Sequence, residues 1–198
     1  MHSDLWLKRW LPLIVESSGH RPVLEIGCGT GEDTATLVDA GLAVTAFDAS
    51  AAAVAATSRR VPNAIVLCRD IRDEFPVDER LAGAVVASLS LHYFRWAETV
   101  DLIDRIRRVL PPGGLFLCRL NSTEDVHFGA VGYPAIEPNF YWVDGQPKRF
   151  FDEESVARLF GFGWQVLAKE HMTTYKYVRP KALWEVASRS VNCSPIIP

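Results

Sequence analysis

Val23-Leu24-Glu25-Ile26 runs without a break into Gly27-Cys28-Gly29-Thr30-Gly31, and a helical segment follows at once. Few folds accept that order. A short apolar run of this kind reads as a buried strand. Glycines at alternate positions let the backbone turn tightly and let a ligand lie against it with no Cβ in between. In an open α/β sheet, ligands bind beyond the carboxyl ends of the strands, where the strand order reverses, and this bend belongs there. The dinucleotide fingerprint G-x-G-x-x-G places its third glycine one residue further on. The spacing here predicts a loop that holds an amino acid and a nucleoside rather than a pyrophosphate.

The rest of the chain continues the alternation. An amphipathic helix is predicted over 5–15, with Trp6, Leu7, Trp10, Leu11 and Ile14 at helical spacing and Gly19 closing it. Strands are predicted over 23–26, 43–47, 65–68, 84–89 and 115–120, and helices over 32–40, from the Ser50 cap to before Pro62, and over 97–110. The last helix has an apolar stripe of Val100, Ile103, Ile106 and Val109. Its acids (Glu98, Asp101, Asp104) come early and its arginines (Arg105, Arg107, Arg108) late, which complements the helix dipole. Pro111-Pro112-Gly113-Gly114 stops it. Asp152 caps a further helix to 160, and two strands over 164–172 and 182–187 are joined so closely that they should be antiparallel. Near-continuous apolar strands alternating with helices predict a doubly wound, mostly parallel α/β sheet covered on both faces. Residues 121–150 show no period but carry Phe128, Tyr133, Phe140, Tyr141, Trp142 and Phe150. A loop this long is usually functional or disordered; its aromatic content argues for a lid or substrate wall.

A length of 198 residues fits a single domain, taken here as 1–198. The net charge of −3 offers no basic track for nucleic acid, and no apolar run approaches the roughly 20 residues needed to span a bilayer. The amino terminus lacks a signal-peptide pattern. The cysteines (Cys28, Cys68, Cys118, Cys193) form no C-x-x-C pair and none lies near a histidine at metal spacing, so no metal is expected. Nor do His2, His20, His127 and His171 form a ligand set. Cys68 and Cys118 lie in strand-like runs and read as small buried hydrophobes. A reducing cytoplasm fits this usage.

Two acids follow the glycine bend. Asp48 ends the second predicted strand seventeen residues after Gly31. A carboxylate there can accept from both hydroxyls of an adenosine ribose, in bonds strengthened by its charge, and Ala49-Ser50 brings no arginine for a 2′-phosphate. The plainer role for Asp48, capping the next helix, suits Ser50 better. Arg69-Asp70-Ile71 follows the third strand. Asp70 can accept from an exocyclic adenine amine and Ile71 can pack on the base, although a loop Asp is more often a turn former.

On these residues the sequence resembles the class I S-adenosylmethionine-dependent methyltransferases. The matches are Leu24 to Gly31, Asp48, Asp70-Ile71, Ser88-Leu89-Ser90-Leu91-His92-Tyr93 and Leu110-Pro111-Pro112-Gly113-Gly114-Leu115, in the family's order and spacing across 23–115. Within the family the chain looks most like small stand-alone members of the tellurite-resistance type. The resemblance implies a Rossmann-like seven-stranded sheet with an antiparallel last strand, and S-adenosylmethionine as cofactor. It implies a cofactor site of Glu25, Gly27, Cys28, Gly29, Thr30, Gly31, Asp48, Ala49, Asp70, Ile71, Ser88 and Leu89. The bend would hold the methionine part, Asp48 the ribose, Asp70 and Ile71 the adenine, and Ser88 and Leu89 the region of the sulfonium. Many members carry an acid at the start of the fourth strand, where this chain has Ala82-Gly83-Ala84; the expected effect is on local packing.

Methyl transfer from an activated sulfonium is mainly alignment, and a base is needed only if the nucleophile must lose a proton. His92, Tyr93 and Asn121 are the candidates to handle the acceptor, with His92 as a base or as a loop-fixing hydrogen-bonder and Asn121 as an orienting group or a turn residue. Tyr141, Trp142 and the Lys148-Arg149 pair are candidates to close over it, the cations drawing in an anionic acceptor or forming a solvated pair beside an apolar anchor. Trp6 and Trp10 either fold over the cofactor or cover the core. The acceptor is expected to be a small molecule and the protein a monomer or homodimer. A nicotinamide-dependent oxidoreductase and a non-catalytic S-adenosylmethionine-binding module are the competing readings.

Overall fold

In the computed structural model, which describes residues 6–191, a 3-10 turn over Trp6–Trp10 leads into helix α1 (Leu11–Ser18). The single helix expected over 5–15 is therefore two pieces. Pro12 explains the break: it has no N–H to donate, so it sits in the first turn of a new helix rather than inside an old one. Residue 5, His2 and Cys193 lie outside the described residues.

Next come β1 (Val23–Ile26), α2 (Glu32–Asp39), β2 (Val44–Asp48), α3 (Ala51–Arg60), β3 (Ile65–Cys68), β4 (Ala84–Ser88), α4 (Trp96–Val109) and β5 (Leu115–Asn121). They match the predicted elements to within a residue or two. The buried face of α4 is Thr99, Leu102, Ile103, Ile106 and Val109. Val100, placed on the stripe by its spacing, is 42% exposed, one step around the helix from that face.

Three short strands follow: β6 (Ala135–Glu137), β7 (Phe140–Val143) and β8 (Gln146–Arg149). They form a separate antiparallel sheet in the order β6-β7-β8, so the segment 121–150 is not the structureless loop expected. The turn between β7 and β8 is Asp144-Gly145, with φ of 49° and 84°. An Asp-Gly pair with both residues left-handed is the favoured two-residue hairpin turn, and this dipeptide was the missed cue. The chain then forms α5 (Glu153–Leu159), capped by Asp152, and the hairpin β9 (Trp164–Thr174) and β10 (Lys181–Ser190).

The main sheet runs β3-β2-β1-β4-β5-β10-β9. Neighbouring strands from β3 to β5 are parallel, and β10 is antiparallel to both β5 and β9. The seven-stranded sheet with its antiparallel last strand is as expected. Its two faces hold separate apolar clusters, one around Leu102, Ile106, Phe116 and Phe151, the other around Leu7, Ile14, Leu37 and Leu117. Cys118 is buried as expected, but Cys68 is exposed because β3 is an edge strand. Gly83 accounts for the missing acid at the start of β4: a Cβ there would lie 2.4 Å from Ser18 Cα. The end of α1 packs backbone to backbone on β4, and any side chain at 83 would push it off.

Candidate functional site

The strand order reverses between β1 and β4, and the glycine bend leaves β1 at that point. Two of its glycines have different reasons to be glycine. Gly27, at φ 76°, has no room: a Cβ would lie 2.5 Å from Ser90 Cβ, in the chain that leaves β4. Gly29, at φ 54°, has nothing within 4 Å of its missing Cβ. It presents bare backbone to open space.

Hydrogen bonds hold the bend. Gly27 and Cys28 both donate to the Phe47 carbonyl, at 2.8 and 3.1 Å. The Gly29 N–H donates to Asp48 Oδ2 at 3.0 Å, and the Gly29 carbonyl accepts from Thr57 Oγ1 at 2.9 Å. Asp48 Oδ1 accepts from the Ser50 N–H at 2.9 Å, while Ser50 itself caps α3 through the Ala53 N–H.

Before these groups lies a cavity of about 600 Å³ at the carboxyl ends of β1, β2 and β4. Gly27, Gly29, Asp48, Ala49, Asp70, Ile71, Ser88 and Leu89 all line it, with Tyr93. Asp70 also forms the turn that a loop Asp favours, its Oδ1 accepting from the Arg72 N–H at 2.9 Å. Leu89 is a non-glycine residue at φ 55°, backbone strain of the kind that collects at sites.

Glu25, Cys28, Thr30 and Gly31 do not line the cavity. Cys28 packs in the core, Thr30 faces outward and Gly31 starts α2. Glu25 is buried beneath the bend and accepts from Thr34 Oγ1 at 2.6 Å. Burial pushes its carboxyl up to about 8; the Thr34 bond opposes this, and Asp33 and Asp48 add to it. Sequence reasoning missed Gln146, Pro147 and Tyr177, which reach the cavity from β8 and the β9–β10 turn. No local pattern marks them, because only the tertiary fold brings those segments over the bend.

A second cavity, about 230 Å³, shares Leu89, Tyr93, Gln146 and Tyr177 with the first. His92 and Asn121 also line it, so the three residues proposed to handle an acceptor come together. His92 is buried, and burial, then Lys181 and Lys148, push its imidazole down to about 3. All three effects favour the neutral imidazole. Asn121 Nδ2 donates to the Arg149 carbonyl at 3.5 Å.

Tyr141, Trp142 and Arg149 line neither cavity. Trp142 is half exposed. Arg149 is buried; its Nε donates to the Phe94 carbonyl at 2.9 Å and its Nη2 pairs with Glu137. Burial, then Arg95, lowers its pKa to about 10. Neighbours on a strand point to opposite faces, so Lys148 reaches the second cavity and Arg149 turns away. The two cations thus part company, Lys148 at the second cavity and Arg149 buried against Glu137. Trp6 and Trp10 do not reach the first cavity either: Trp6 Nε1 donates to Asp33 at 3.0 Å and Trp10 Nε1 to Glu185 at 2.7 Å. No helix among the described residues is long and apolar enough to cross a membrane.

Comparison with known proteins bears on this geometry. Residues 23–114 match the family model described as a methyltransferase domain. Over 171 residues the chain is 29% identical to an uncharacterized methyltransferase of Mycobacterium tuberculosis, covering 86% of this chain and 65% of that relative's length. A crystal structure of an S-adenosylmethionine-dependent methyltransferase from Methanosarcina mazei superposes with a TM-score of 0.73 at 14% identity, over 91% of this chain and 97% of that one. A Burkholderia thailandensis 1,6-didemethyltoxoflavin-N1-methyltransferase, solved with bound 1,6-didemethyltoxoflavin and S-adenosylhomocysteine, superposes with a TM-score of 0.70 at 20% identity, over 96% of this chain and 82% of that one.

Proposed function

We propose, for a chain whose residues 23–114 match the family model of a methyltransferase domain, that the protein is an enzyme moving a methyl group from S-adenosylmethionine to a small molecule held beside His92. The fold is that of class I methyltransferases. The observation that carries the reading is the pairing of Gly29, open toward the first cavity, with the Asp48 carboxylate at the same cavity wall.

S-adenosylmethionine supplies a methyl group already activated by its sulfonium, so the work left to the chain is positioning. Gly29 leaves room for the amino-acid end. Asp48 presents its carboxylate to the ribose diol, and Ile71, with Asp70 beside it, flanks the base. Ser88 and Leu89 border the passage toward the second cavity, where His92, Tyr93 and Asn121 hold the acceptor. The three-stranded sheet borders that acceptor through Gln146 and Lys148, and we read the chain as one methyltransferase domain. The ligand held by the Burkholderia relative supports an acceptor of small-molecule size.

Titration calorimetry with S-adenosylhomocysteine and with NAD tests the reading. Binding of the first without the second is the expected result; NAD binding alone replaces the enzyme class. Labelled S-adenosylmethionine with a panel of thiols, chalcogen oxyanions, amines, phenols and carboxylates then identifies the attacking atom. Cofactor binding with no transfer to any acceptor would favour a non-catalytic module.

A further inference from the structure

Two lysines border the cavity beside His92, and no carboxylate is among the residues that line it. Lys181 Nζ is bound to Asp125 Oδ2 at 2.5 Å, a buried pair in which the two charges offset each other while Asp125 Oδ1 has no hydrogen-bond partner. The Lys148 ammonium makes no hydrogen bond or ion pair to any described residue, while its backbone pairs with Tyr141 and its strand is further held by the Arg149 N–H donating to the His92 carbonyl at 2.6 Å. One positive charge is therefore left over.

The other polar groups at this cavity are incomplete as well. His92 Nδ1 and Asn121 Oδ1 are buried without a hydrogen-bond partner. Buried polar atoms in native proteins nearly always have one, and the exceptions mark places where water, an ion or a ligand completes the set. The remaining walls are aromatic. Tyr93 lies against the His92 ring at 4.1 Å between centroids, and Phe128 meets Tyr177 edge-on at 5.6 Å.

The complement of such a cavity is a small body with an apolar ring or chain, one negative charge and one hydrogen-bond donor. We propose that the acceptor is a small organic anion whose charge pairs with Lys148 and whose own O–H or N–H is received by Asn121 or His92. The proposal rests on the reading of this cavity as the acceptor site. Charge pairing at a pocket edge contributes to selection more than to raw affinity, so the measurement compares matched probes.

The test is calorimetry on the full chain with S-adenosylhomocysteine present, titrating 4-hydroxybenzoate against 4-hydroxybenzamide and glycolate against glycolamide. The carboxylates should bind about tenfold more tightly than the amides, a preference that weakens as salt is raised. Lys148→Gln should abolish the preference and Lys148→Arg should keep it, with affinity for S-adenosylhomocysteine unchanged in both. Equal binding of acid and amide, or binding of neither, overturns the inference while S-adenosylhomocysteine binding leaves the function standing. A carboxylate preference that survives Lys148→Gln overturns the assignment to Lys148. Failure of S-adenosylhomocysteine to bind at all removes the function and this inference together.

Discussion

Asp48 and Gly29 hold each other in place: the Gly29 N–H donates to Asp48 Oδ2 at 3.0 Å, between residues nineteen apart in the chain. The carboxylate proposed to meet the ribose is thus also a strut of the bend proposed to meet the amino acid. One side chain sets the distance between the two halves of the site.

Asp48→Ala should therefore weaken S-adenosylhomocysteine binding by roughly 1.5–3 kcal/mol, the range for hydrogen bonds to a charged group. The loss should come with faster hydrogen exchange at Gly29, because its backbone partner is gone. Unchanged affinity by calorimetry would remove Asp48 from the site.

The two glycines should respond differently to the same substitution. Gly27→Ala meets Ser90 and is held at positive φ, so overpacking and left-handed strain together should cost about 2–4 kcal/mol of stability. Gly29→Ala meets only open space and should cost about 1 kcal/mol of stability, while the methyl added to this cavity-lining residue should weaken cofactor binding. Urea denaturation and calorimetry on the pair separate these effects; equal stability losses would contradict the geometry.

Glu25 makes stability depend on pH. Its folded carboxyl sits at about 8 against 4.5 when unperturbed. The stability carried by the neutral form is fully present below pH 4.5 and is lost as pH rises through 8. Glu25→Gln stays neutral and keeps an oxygen for Thr34. It should be more stable than the parent by on the order of 2–4 kcal/mol at pH 8.5, with the gap closing toward pH 5. Thermal melts at the two pH values measure it, and a gap that does not depend on pH would show that Glu25 is ionised in the folded protein.

His92, held near 3, should leave no limb in the pH–activity profile between pH 5 and 9. His92→Ala should lower turnover while leaving S-adenosylhomocysteine affinity nearly unchanged. A profile limb near neutral pH that vanishes in the variant would restore His92 as a base.

Most of the main sheet was legible because its cues are local. The apolar runs at Val23–Ile26 and Leu115–Asn121, the glycine spacing of the bend and the Ser50 cap each act within a few residues. The errors arose where something else decided the outcome. Pro12 broke a helix whose apolar spacing was sound. Val100 had an apolar side chain but the wrong angle around α4, and Cys68 lay on the edge strand of the sheet, paired on one side only. Lys148 and Arg149 were read as one pair, and the strand parity that divides them is set by a hairpin turning on Asp144-Gly145. Gln146 and Tyr177 reach the cavity from regions far from the bend, and no pattern short of the fold itself announces them.

The position of β10 has a consequence for assembly. It lies between β5 and β9 and pairs with both, although it is the last strand in chain order among the described residues. Until residues 181–190 have been synthesised, β5 has an unpaired border and β9 has no route onto the sheet. Contacts between elements so far apart in sequence form slowly, and an open strand border invites pairing with another chain. A nascent chain stalled before Lys181 should therefore be a substrate for chaperones or self-association, even with every residue of the glycine bend already in hand.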